Sequence, residues 1–144
     1  MKAKLIHDGP QRTYALVFEK GDEAVAGLAR FAEKEGLGAS RFTGLGAFSG
    51  AVLGFFDWDR KDYDRIAVDE QVEVVALIGD ITREESGGPQ VHPHAVLSRR
   101  DGTALGGHLL EARVRPTLEV IVTESPAHLC RRRDPDTGLA LITL

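Results

Sequence analysis

The residues best suited to chemistry lie in one short stretch, Val91–Leu110, which reads V-H-P-H-A-V-L-S-R-R-D-G-T-A-L-G-G-H-L-L. Neutral imidazole is a common ligand for zinc and other borderline divalent ions. His92 and His94 are two positions apart, and in a strand such residues point to the same face. Ala95 and Leu97 then project to the other side. Arg100-Asp101-Gly102 is a turn signal, so the stretch reads as a β-hairpin. Whether His108 joins the pair depends on loop length. A two-residue loop at Asp101-Gly102 sets His108 opposite Ala95, on the wrong face. A three-residue loop, Arg100 to Gly102, sets it opposite His94 and fits a type I turn closed by a left-handed glycine. One residue of slip flips the whole face, and Gly106-Gly107 could host a bulge that resets the register. The three-residue loop brings all three imidazoles together in one step, and it is the expected arrangement. Three protein nitrogens with one position open is the pattern of a catalytic or ligand-binding metal site, whereas structural zinc sites are closed by four ligands. Water, a substrate, or a carboxylate such as Glu111 or Glu119 would complete the set. The alternative is three surface or hydrogen-bonded histidines. His7 and His128 lie outside the motif and read as ordinary.

A hairpin needs a sheet to hold it. Thr13–Glu19 (TYALVFE) is β-branched and aromatic and reads as a strand. Asp22 is the expected N-cap of a helix. Val25, Leu28, Ala29 and Ala32 follow at helical spacing, Phe31 broadens the stripe, and Gly36 suits a left-handed stop. After this one long helix, Arg41–Leu45, Ala47–Phe56, Arg65–Val68, Val72–Ile78, His92–Leu97, Leu105–Val114 and Leu118–Thr123 read as strands, with breaks at Gly, Pro or Asp. The expected class is α+β, a mostly antiparallel β-sheet with one main helix packed on it. Gly44, Gly46, Gly50 and Gly54 fit sheet curvature, with a backbone-lined pocket wall as the alternative.

A chain of 144 residues, 42% hydrophobic, suits a single domain over residues 1–144. One cysteine, Cys130, excludes an internal disulfide framework, fits a reducing compartment and reads as an inert thiol. Met1–His7 holds no apolar run of signal-peptide length, and no stretch approaches a membrane span. The expected location is cytoplasmic, with no membrane partner. The formal net charge of −4 is not the footprint of an autonomous DNA binder. Arg131-Arg132-Arg133, followed by Asp134 and Asp136, reads as a solvated turn. Asp57, Asp59, Asp62 and Asp64 read as an exposed acidic loop without EF-hand spacing. No G-x-S-x-G, Walker loop or C-x-x-C occurs, and Gly44-Leu45-Gly46 is not followed by a helix, so a dinucleotide fingerprint is unsupported.

Four stretches in this order carry a family resemblance: G-L-G-A-F-S-G-A-V-L-G-F-F-D (Gly44–Asp57), V-E-V-V-A-L-I-G-D-I (Val72–Ile81), H-P-H-A-V-L-S-R-R-D-G-T-A-L-G-G-H-L-L (His92–Leu110) and T-L-E-V-I-V-T-E (Thr117–Glu124). From Tyr14 to Glu124 the chain resembles the plant-and-prokaryote-conserved (PPC) domain family, the H-x-H plus G-G-H element being the most specific part. The resemblance implies a largely antiparallel domain that assembles as a homotrimer. It also implies a metal, zinc being the usual suggestion, held by His92, His94 and His108. Plant members carry AT-hooks, R-G-R-P. Here Arg113-Val114-Arg115-Pro116 has valine where the hook needs glycine, and it reads as a strand end. The leading expectation is a trimeric metal-binding domain with zinc or another divalent transition metal and no assigned activity. The alternatives are a metal-dependent enzyme acting on a small molecule, a bare oligomerising scaffold, and a DNA-binding regulatory module. The last would need a basic face drawn from Arg99, Arg100, Arg113, Arg115 and Arg131–Arg133.

Overall fold

The computed structural model describes residues 1–125 and 127–144. Its elements run β1 (Lys2–His7), β2 (Thr13–Glu19), α1 (Ala24–Glu35), β3 (Ala39–Asp57), β4 (Asp62–Val68), β5 (Val72–Arg83), β6 (Pro89–Ser98), β7 (Ala104–Glu124), β8 (Cys130–Arg133) and β9 (Ala140–Thr143). The strands join in one sheet of order β1-β2-β7-β3-β5-β8-β9. In addition β4 lies on β3, and β6 pairs with both β5 and β7. The long strands β3, β5, β6 and β7 therefore form a ring of pairings around the core. Their contacts are antiparallel, and β8 adds one parallel contact to β5 at Arg83–Cys130.

Alternation along these strands turns Leu53, Leu77, Ala95, Leu97 and Leu109 inward, where they meet Phe42, Phe48 and the helix residues Leu28, Phe31 and Ala32. Each large apolar side chain buried this way contributes about 1.5–3 kcal/mol. The helix ends as expected at Gly36, which adopts the left-handed conformation and donates its N–H to Ala32 and Glu33. Its start differs from expectation. Glu23, not Asp22, is the N-cap: one carboxylate oxygen accepts from the Ala26 N–H and the other from the Ala112 N–H. The longer side chain ties the helix start to β7, while Asp22 accepts from the Glu19 N–H in the preceding turn.

Two predicted breaks are absent. Arg41–Leu45 and Ala47–Phe56 are one strand, because Gly46 is a point of register shift rather than a stop; a Cβ there would strike the Thr117 carbonyl. Leu105–Val114 and Leu118–Thr123 are likewise one strand, continuing through Pro116 with a cis Arg115–Pro116 bond. Strands β1, β8 and β9 carry too little apolar alternation to announce themselves. The run Arg131–Arg133 is therefore a strand and not a solvated turn, and Arg131 is buried. Among the described residues, no helix is long and apolar enough to cross a membrane.

Candidate metal centre

The hairpin closes in the register expected of the three-residue loop. Arg99 and Thr103 bracket Arg100-Asp101-Gly102, with Arg99 N–H donating to the Thr103 carbonyl and Gly102 N–H to the Arg99 carbonyl. Gly102 has φ +82°, a conformation that glycine adopts without penalty. Asp101 secures the turn by accepting from the Thr103 N–H and hydroxyl. Ser98 then faces Ala104, and His94 faces His108. Residues directly opposite share a face, so the sheet brings His92, His94 and His108 together on the outside of the ring, away from α1.

The three rings form a nearly regular triangle. Ring centres are 5.1 Å apart for His92–His94, 5.2 Å for His92–His108 and 5.3 Å for His94–His108. One nitrogen from each lies within 4.8 Å of the others, against about 3.4 Å between ligands of a tetrahedral zinc, so the rings would draw inward to close on an ion. Three imidazoles on a tetrahedral zinc, with Zn–N near 2.0–2.1 Å, would place their ring centres about 5.2 Å apart. The donor set thus fits a divalent metal. His108 Nδ1 adds a second sign, being buried without a hydrogen-bond partner among the described residues. Such an orphan is costly unless something bonds it.

The surroundings of His94 and His108 favour their neutral forms. Burial lowers the His108 pKa to about 4, helped by the neighbouring charges of His92, His94 and Arg131. Burial, with His92 beside it, also lowers that of His94. A neutral imidazole has a lone pair to give, so no proton need be displaced from these two at neutral pH.

Three further residues build the site, and none was anticipated. Tyr63 on β4 stacks on His108, ring centres 4.8 Å apart. It reaches there across Gly54, where a Cβ would come within 2.7 Å of its ring. This glycine, opposite His108 in the sheet, is part of the site wall as well as of the curvature. Asp80 lies opposite His92 on β5, with Oδ2 3.6 Å from His92 Nδ1. Burial pushes its carboxyl pKa up, but His92 and Arg131 beside it outweigh burial and hold it below the usual value. Arg131, on β8, donates from Nη2 to both Asp80 oxygens at 2.8 and 3.0 Å, from Nε to Thr82 at 3.1 Å, and from Nη1 to the Ala140 carbonyl at 2.8 Å. The β8–β9 hairpin also walls a cleft of ≈ 210 Å³ beside the triad, between Tyr63 and Val91 on one side and Leu139 and Leu141 on the other.

The carboxylates nominated from sequence sit elsewhere. Glu111 pairs with Arg65, and Glu119 lies along an apolar stretch of the sheet. Extending the outward alternation of β5 past Ile78 would have exposed Asp80 as the acid on the histidine face. Of the arginines considered for a basic face, Arg131 is buried against Asp80 and Arg99 pairs with Glu70.

A mostly antiparallel sheet with one helix packed on its core, and a three-histidine group on its outer face, defines a class of small candidate metal-binding domains. The family model of the Plants and Prokaryotes Conserved (PCC) domain matches residues 6–126, and the chain belongs to that family. Solved structures agree. A plant- and prokaryote-conserved protein from Pyrococcus horikoshii is 30% identical, with a TM-score of 0.87 and 92% of each chain covered. A metal-containing protein from Archaeoglobus fulgidus is 28% identical, with a TM-score of 0.85, over 99% of this chain and 97% of that one. A candidate DNA-binding protein from Ralstonia eutropha JMP134 is 32% identical, with a TM-score of 0.85, over 91% and 90%. No curated protein matches the chain.

Proposed function

We propose that this protein is a homotrimeric metal-binding domain in which His92, His94 and His108 hold one divalent transition metal, zinc by preference. The observation that carries the reading is the triangle of rings at 5.1–5.3 Å. The metal-containing Archaeoglobus relative supports it. An imidazole-only donor set favours zinc, copper, iron or nickel over hard cations, which take oxygen ligands. A metal held by three protein ligands supplies Lewis-acid chemistry at its open position. The chain's own contributions are orientation of the rings by Asp80 and Tyr63 and a partly apolar cleft that would seat a small molecule beside them. The test is elemental analysis after zinc loading and desalting. One zinc per chain is expected, and less than a tenth of that in His94→Ala. Wild-type protein without stoichiometric metal overturns the reading.

Self-association is supported by a second feature, the number three being what the family resemblance implies. The outer sheet face exposes Val17, Leu45, Val75, Ile78 and Ile121, all 40% accessible or more, around a shallow depression of ≈ 550 Å³. Contiguous apolar surface of this kind marks an interaction site. Nucleic-acid association is the alternative reading, favoured by the candidate DNA-binding relatives. It predicts retardation of duplex DNA that weakens steeply with salt. No retardation at low salt excludes it.

A further inference from the structure

His92 differs from the other two histidines in what surrounds its second nitrogen. Its Nδ1 stands between two groups of opposite character. Arg131 Nη2 is 3.1 Å away and can only donate. Asp80 Oδ2 is 3.6 Å away and, ionised, can only accept. A neutral imidazole carries its proton on one nitrogen, and the partner of one nitrogen decides the state of the other. When Nδ1 accepts from Arg131, the proton is on Nε2 and that nitrogen has no lone pair for a metal. When Nδ1–H donates to Asp80, Nε2 is free to coordinate, the carboxylate–histidine pairing found at many metal sites.

We propose that Asp80 and Arg131 act as an opposed pair that selects the tautomer of His92, and so sets metal affinity from outside the ligand set. The inference rests on the three-histidine reading and deepens it. The two groups compete for one nitrogen, Arg131 at 3.1 Å and Asp80 at 3.6 Å, and the closer Arg131 favours the Nε2–H form until a metal takes Nε2. Metal uptake then requires His92 to exchange Arg131 for Asp80, closing the 3.6 Å gap to Oδ2 by about 0.7 Å to an ordinary hydrogen bond. Arg131 stays anchored during the exchange through Thr82 and the Ala140 carbonyl. It belongs to β8, beyond the residues matched by the family model, so this control is supplied by the C-terminal hairpin. Both residues are positioning residues, since neither is within the group of atoms that could touch the metal.

The two positions are expected to act in opposite directions. Zinc affinity, measured by competition with a chromophoric chelator, should weaken about 10- to 100-fold in Asp80→Asn. In Arg131→Met it should tighten about tenfold, because a competing charge-assisted hydrogen bond is removed. A pair serving only to hold the hairpin would weaken binding in both variants alike, and that result overturns the proposal. A second readout needs neither variant nor metal. The imidazole nitrogen shifts of His92 in metal-free, ¹⁵N-labelled wild-type protein, assigned by comparison with His92→Gln, should report the Nε2–H tautomer. Finding Nδ1–H there refutes the proposal. If wild-type protein takes up no zinc, the three-histidine reading fails, while the nitrogen shifts still decide the tautomer. Melting curves in EDTA establish that each variant is folded.

Discussion

His108 is the most constrained of the three histidines, and its environment makes a pH prediction. Its folded pKa of about 4 lies below the ordinary value of 6.5. Between those values the unfolded chain binds more protons than the folded one, so folding is favoured less as pH falls through that window. The contribution is full above pH 6.5 and gone near pH 4. In EDTA, the melting temperature of wild-type protein should fall more between pH 7 and 4.5 than that of His108→Gln; parallel curves would refute the assignment. Tyr63 gives a second test at this scale. Gly54→Ala sets a methyl against the Tyr63 ring, which has to leave its stack on His108. Overpacking of this kind costs about 1–3 kcal/mol of stability. Zinc binding should weaken with it, while Gly50→Ala, which meets only the Val68 carbonyl at 3.2 Å, should be milder. The three histidines were legible because period two and one turn govern them. Tyr63, Asp80 and Arg131 were not, because each comes from another strand whose pairing the local pattern does not reveal.

At the scale of the element, the turn is the component on which the site depends. Arg100-Asp101-Gly102 holds the loop at three residues, and His108 meets His94 only for that count. Deleting Arg100 leaves the two-residue loop. Either His108 then turns toward the core or β7 shifts by one residue against β3 and carries Leu109 outward. Both outcomes break the face alternation. The expected result is loss of stoichiometric zinc together with a large fall in melting temperature. Retention of both would show that the register is held elsewhere, for instance by β3. The same element explains what could be read in advance and what could not. Turn chemistry gave the hairpin, and helical spacing with Gly36 gave α1. The fused strands β3 and β7 were split because glycine and proline read as breaks. In the sheet Gly46 is a register shift under the Thr117 carbonyl, and Pro116 is accommodated within a continuing strand. The helix cap was misassigned by one residue because Glu23 is held by a contact to Ala112, 89 positions away.

For the whole molecule the question is what covers the outer sheet face. The inner face is filled by α1 and the core. The outer face leaves Leu45, Val75 and Ile78 more than half exposed, around a depression that Thr43 and Glu119 also line. In the proposed trimer, three copies would bury this face against one another. On that basis wild-type protein should sediment at three times the 15.6 kDa chain mass. Leu45→Glu should reduce it to one chain with the fold intact by circular dichroism, because a buried unpaired carboxylate is costly in the assembly and free in the monomer. A wild-type monomer at micromolar concentration would refute the assembly. The apolar face also runs up to the candidate metal centre, since Ile78 lies opposite His94 across the β5–β6 pairing. Leu45 lies on β3 opposite Glu119, outside the histidine hairpin, so Leu45→Glu separates assembly from coordination. Monomeric Leu45→Glu that still binds one zinc per chain makes the site self-contained. Loss of zinc in Leu45→Glu, where no ligand has been touched, makes the neighbouring copy part of the site. The self-contained outcome is expected, because one chain supplies all three imidazoles, with a nitrogen of each within 4.8 Å of the others.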